Sequence, residues 1–142
     1  MAEVSAEARI DAPAEKVWEK LTDFSVFGEW SVTHTGFPKG APESLKQGDT
    51  FEESMKLMGF PADAVWTVES LEDGRSFTIR GKGPMGVNLK QAYTLTPDGN
   101  ATVMRIDGEF TGAAVTLMAG KLKDSATAAL HESLRKLNAL IV

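Results

Sequence analysis

The chain contains no cysteine, which excludes disulfides, a thiol nucleophile and thiolate metal sites. Histidine is almost as scarce. His34 and His131 are the only two, and they stand far apart with no ligand-type spacing, so neither a transition metal nor any other cofactor is expected. Long apolar runs are missing as well. The longest stretch of small apolar residues, 112–120, is far too short to span a bilayer, so no stable membrane insertion is expected. The opening Met1-Ala2-Glu3-Val4-Ser5 has no basic start and no apolar segment, and does not read as a signal peptide. Positive charge is in the minority. The 15 Lys and Arg face 20 Asp and Glu, for a net charge of -5, and the densest basic pair is Lys121 with Lys123. Nucleic acids and anionic membranes reward clustered cations, so no nucleic-acid partner is expected. A cytoplasmic location fits these absences.

What is present describes one domain spanning residues 1–142. Its length, with 42% hydrophobic and 25% charged residues, suffices for the core of an ordinary soluble protein. Val4, Ala6, Ala8 and Ile10 alternate with polar residues, the period of a half-buried strand over 2–10. Pro13 and Glu15 suit the first turn of a helix over 11–22. The proline leaves no N–H unpaired there, and the carboxylate faces the positive end of the helix dipole. Val17, Trp18 and Leu21 form that helix's apolar stripe. Phe24, Phe27 and Trp30 continue at threes, which predicts a second short helix or a tight turn. Residues 31–45 hold Gly36, Pro38, Gly40 and Pro42 and read as a long loop.

From residue 47 to 110 the chain reads as hairpins. Breaks are predicted at Gly59-Phe60-Pro61, Glu72-Asp73-Gly74, Gly83-Pro84-Met85-Gly86 and Pro97-Asp98-Gly99-Asn100. Hairpins at this spacing imply one continuous antiparallel sheet, of about six strands with the first. From residue 113 the period changes to 3.6. Val115, Met118, Leu122, Ala126, Ala129, Leu130, Leu134, Leu137 and Ile141 fall on one side of a long helix, and Lys123, Thr127 and Arg135 on the other. Such a rod, roughly 40 Å long, crosses the whole sheet. One rod cannot fill a curved sheet, so a cavity of at least about 300 Å³ is expected between them.

Strict alternation places Glu53 on the apolar face of its strand with Phe51, Met55 and Leu57. An ionised carboxylate there is costly unless paired. It reads as a ligand contact or an acid–base group, unless a bulge turns it outward or a neighbour pairs it. Gln91, between Leu89 and Tyr93, either orients a ligand or is a core amide satisfied by its neighbours. Tyr93 offers a phenol on the same face. His34 reads as an imidazole near the cavity mouth, with a general base as the alternative. Trp30, Trp66 and Phe77 are candidate walls, and Met118 and Leu122 would face them from the long helix, whereas Trp18 reads as core. No nucleophile with an activating partner is visible, so no catalytic residue is assigned.

Two stretches carry a family likeness. Ile10-Asp11-Ala12-Pro13-Ala14-Glu15-Lys16-Val17-Trp18 is a strand followed by a Pro-led helix carrying Val-Trp, and Phe27-Gly28-Glu29-Trp30 is a short helix ending in Trp. In this order they resemble the START-like superfamily, the polyketide cyclase/dehydrase and lipid-transport group, over the whole chain. The resemblance implies an α+β helix-grip fold: a curved antiparallel sheet around a long C-terminal helix, with two short helices after the first strand. Glu29-Trp30 with His34, Gly59-Phe60-Pro61 and Val65-Trp66-Thr67 resemble an actinobacterial branch of that group, some of whose members are toxins of toxin–antitoxin systems. That branch commonly has Gly-Met-Pro where this chain has Gly-Phe-Pro. The resemblance implies binding of a small hydrophobic molecule, a lipid, polyketide or aromatic metabolite. The alternatives are a polyketide cyclase or aromatase-type enzyme, and a toxin with an antitoxin protein as partner.

Overall fold

The structure, a computed structural model, describes residues 2–142. The first strand, β1 (Ala2–Ile10), is followed by the short helix α1 (Ala14–Leu21) and a 3₁₀ turn over Phe24–Glu29. Six strands come next: β2 (His34–Gly36), β3 (Thr50–Leu57), β4 (Phe60–Glu72), β5 (Ser76–Lys82), β6 (Asn88–Asp98) and β7 (Ala101–Thr111). The chain ends in α2 (Ala113–Ile141), whose 29 residues make a rod of about 43 Å. All seven strands form one antiparallel sheet in the order β1-β7-β6-β5-β4-β3-β2. The sheet curls around α2, and the fold is an α+β helix-grip.

The alternating residues of each strand supply the core. Val4 and Ile10 of β1, Val68 of β4, and Met104 and Ile106 of β7 are buried with Val17 and Leu21 of α1 and Leu134 and Leu137 of α2. The buried Thr102 hydroxyl donates to the Ala12 carbonyl at 2.8 Å, tying the start of β7 to the turn that leads into α1. Gly112 joins β7 to α2 at φ 132, and a Cβ there would stand 3.0 Å from the Gly86 carbonyl oxygen. Only glycine permits both the backbone angle and that approach.

Several sequence expectations are corrected. The loop over 31–45 contains a strand: His34–Gly36 pairs with β3 and gives the sheet its seventh member. Three residues inside a Gly/Pro-rich stretch show no period, so the alternation argument could not detect them. Pro61 lies inside β4, opposite Lys56, rather than in the break. β5 meets β4 only from Val65 onward, so one side of this segment is free and a missing N–H costs little. Trp18 is half-buried, its ring meeting Phe77 edge-on at 5.9 Å. On α2, Met118 is 41% exposed, Leu130 is only partly buried, and Thr127 is half-buried, while Lys123 and Arg135 are exposed as expected. Among the described residues no helix is long and apolar enough to cross a membrane.

Candidate functional site

Glu53 points into the concave face of the sheet and is 6% exposed. The β3–β4 register puts it opposite Ala64 and next to the pair Phe51–Trp66. From there the Trp66 indole N–H donates to Glu53 Oε1 at 2.9 Å. The other carboxylate oxygen, Oε2, lies 2.7 Å from His34 Nδ1. An indole N–H can only donate; with Glu53 ionised, the imidazole Nδ1 donates too. Two donors at this distance are what a buried carboxylate needs to offset its lost hydration.

Each partner is held in turn. The His34 ring is boxed by Phe27 edge-on at 5.0 Å and by Phe37 at 4.4 Å. Its side chain is as buried as that of Glu53. Trp66 lies across Gly81 of β5, its partner in register. A Cβ at position 81 would stand 2.6 Å from Trp66 Cε3, so the flat indole requires glycine beneath it. Across the sheet, the Tyr93 hydroxyl donates to Gln91 Oε1 at 2.6 Å. The Tyr93 ring stacks on Phe77 at 4.6 Å. Burial, and secondarily the Glu53 charge, push the Tyr93 phenol above its ordinary range, which keeps it a neutral donor.

Two spaces lie between sheet and helix. An inner chamber of about 40 Å³ is lined by Trp30, Glu53, Trp66, Gln91 and Tyr93, with Ala126, Ala129, Leu130 and Ser133 of α2 opposite. An open outer groove of about 510 Å³ is lined by Met58, Phe60, Pro61, Ala64, Pro84 and Met85, with Val115, Met118 and Leu122 of α2. Met55, Leu57, Leu89 and Phe110 border both and stand between them. The expected single cavity is therefore divided, and its inner part is far smaller than about 300 Å³.

The candidate residues separate accordingly. Trp30, Glu53, Trp66, Gln91 and Tyr93 meet at the inner chamber, and His34 stands behind Glu53. Trp30 is buried wall and the His34 side chain is buried behind Glu53, so neither forms the rim of a mouth. Phe77 lies behind Tyr93 in the core, and Met118 and Leu122 belong to the outer groove. Two features escaped the sequence. Ser133, buried on α2, accepts the Val32 N–H at 3.1 Å and pins the segment after Trp30 to the helix. Its signal was its position, since 126, 130, 133 and 137 form one helical stripe in which it is the only polar member. The Trp30 indole N–H is buried and has no hydrogen-bond partner, and no sequence pattern announces that. Among the described residues no group of three or more His, Asp or Glu side chains is placed to hold a metal.

Residues 1–141 match the sequence profile of a family described as polyketide cyclase / dehydrase and lipid transport. An uncharacterized protein of Mycobacterium tuberculosis, Rv1546, is 24% identical over 115 residues, 81% of this chain and 80% of its own. A START superfamily protein from Mycobacterium smegmatis superposes with a TM-score of 0.77 at 16% identity, covering 99% of this chain and 97% of that one. The Zhui aromatase/cyclase from Streptomyces sp. R1128 superposes with a TM-score of 0.79 at 14% identity, covering 98% and 92%. At these identities the two structures speak for the fold alone.

Proposed function

The chain belongs to the polyketide cyclase / dehydrase and lipid transport family, and from that premise we propose that it binds a small, largely apolar molecule between the sheet and α2. One observation carries the reading: an apolar groove of about 510 Å³ abuts a small chamber with a polar wall. The body of the ligand lies in the groove and one polar end reaches inward past Met55, Leu57, Leu89 and Phe110. Methionines repack easily, so a groove rich in them adapts to the ligand's shape. Burial of apolar area, at roughly 25 cal/mol per Å², supplies the affinity.

A second reading, proton transfer of the cyclase or aromatase type, is favoured by one feature. Glu53 faces the chamber with His34 bonded behind it, the arrangement of an oriented carboxylate base. Binding ranks first because both Glu53 oxygens are already engaged and Tyr93 is held neutral. A toxin role and an antitoxin partner draw no support from the family match, the relatives or the similar structures, and are not carried further.

The test is a titration with N-phenyl-1-naphthylamine, a neutral apolar dye that brightens in apolar surroundings. Saturable one-to-one uptake with quenching of tryptophan fluorescence supports the proposal. Leu122→Trp should fill the groove and weaken uptake by about tenfold or more, the equivalent of about 1.4 kcal/mol. Absence of saturable uptake by the wild-type protein would contradict it.

A further inference from the structure

We propose that the inner chamber is a hydroxyl site: it takes the neutral alcohol or phenol group of the ligand, which donates to Glu53 and accepts from the Trp30 indole N–H. The assignment rests on the binding reading above and names the chemical class of the ligand's polar end.

Size is the first argument. A space of about 40 Å³ is far below the roughly 300 Å³ of a pocket for a whole ligand, so it takes only a small end group. A hydroxyl is such a group. Charge is the second. Glu53 and Glu109 are the acidic groups of the lining, Glu53 being the buried one, and the cation nearest the chamber does not face it. Lys90 contributes to the lining, but its ammonium lies 4.0 Å from Glu69 and is a third exposed. A carboxylate ligand would therefore meet a carboxylate wall with no cation to offset the repulsion.

Hydrogen-bonding capacity is the third argument. The Trp30 indole, 1% exposed, forms part of the wall, and its N–H lacks a partner. A buried donor left unpaired is costly, so the position calls for an acceptor. The Tyr93 hydroxyl spends its proton on Gln91, which leaves its oxygen free to accept and the Gln91 amide N–H groups free to donate. Glu53, bound once at each oxygen, still has lone pairs to accept with. A wall that offers both donors and acceptors in so small a space suits a group that does both. An ammonium cannot accept from Trp30, and an ether or ester oxygen cannot donate to Glu53.

The experiment displaces bound N-phenyl-1-naphthylamine with a series of matched chain length: decan-1-ol, decyl methyl ether, decylamine and decanoate. Decan-1-ol should displace the dye about tenfold more strongly than each of the others, the worth of one or two buried hydrogen bonds. Trp30→Phe should remove most of that advantage, read within the variant as the ratio of displacement by decan-1-ol to displacement by decyl methyl ether. A readout on the wild-type protein guards against misfolding of the variant. In protein carrying ¹⁵N-labelled tryptophan, the Trp30 indole N–H resonance should shift downfield with decan-1-ol and stay in place with decane. Equal displacement by alcohol and ether, stronger displacement by amine or carboxylate, or an unmoved Trp30 resonance would each overturn the hydroxyl assignment and leave the binding proposal standing. If neither dye nor decan-1-ol binds at all, the binding proposal fails and takes the assignment with it.

Discussion

The inner chamber and the outer groove share four bordering side chains, Met55, Leu57, Leu89 and Phe110, yet they are built differently. Around the chamber, Glu53 is fixed by His34 and Trp66, Trp66 rests on Gly81, and Tyr93 is fixed to Gln91 and stacked on Phe77. Glu53, His34, Trp66 and Tyr93 are each held in place, because moving any one of them leaves a buried polar group unpaired. Around the groove, Met58, Phe60, Met85 and Met118 carry no strong hydrogen-bonding group, so packing alone holds them. Phe60 is 67% exposed and Met85 86%. Met58 and Met85 sit at φ 52 and 61, a conformation that L side chains seldom adopt. The contrast teaches that one end of the space is preorganised for a particular chemical group, while the other can reshape around whatever apolar body is attached to it.

Substitutions in the two regions should therefore differ sharply in stability. Trp66→Ala removes a fully buried ring and one of the two donors to Glu53, and should cost about 3–5 kcal/mol in urea denaturation. Gly81→Ala should cost about 1–3 kcal/mol, because the new Cβ would strike the Trp66 ring at 2.6 Å and force it off Glu53. A change near zero would show that the indole has slack, and would erase the contrast.

The alkaline limb gives a smaller effect. Burial raises the folded-state Tyr93 phenol above its unfolded value, so this group's contribution to stability is complete below about pH 10 and falls as pH rises beyond it, where only the unfolded chain ionises. Tyr93→Phe should cost about 1 kcal/mol at neutral pH through the lost bond to Gln91. It should also flatten the decline above pH 10 in paired pH–stability curves. On the groove side, Met85→Gly should shift stability by less than about 0.5 kcal/mol, since the side chain is exposed and glycine tolerates its backbone angle. A loss of more than about 1 kcal/mol there would mean that the groove rim is packed, not adaptable.

Strand alternation made the inward faces legible, because the period of two is fixed by backbone geometry. It put Glu53, Trp66, Gln91 and Tyr93 on one face before any register was known. The long helix was legible for the same reason, through its 3.6-residue period. The partners were not. That Trp66 and His34 would close on Glu53 depends on the β3–β4 register and on the three-residue β2, neither of which leaves a periodic signal. The division of the cavity was also hidden. It depends on how far Met55, Leu57, Leu89 and Phe110 fill the space between sheet and helix, which is a matter of volumes in three dimensions. The segment after Trp30 is tied to α2 by the Val32–Ser133 bond, a contact between residues 101 apart in sequence.

The central claim is that chamber and groove serve one ligand at once. It is tested most directly by titrating decan-1-ol into protein carrying ¹⁵N-tryptophan and ¹³C-methyl methionine, following the Trp30 and Trp66 indoles together with the Met58 and Met85 methyls. The account predicts that all four signals move along one saturation curve with a single midpoint. Methionine methyls that shift while both indoles stay still, or two separate midpoints, would contradict it.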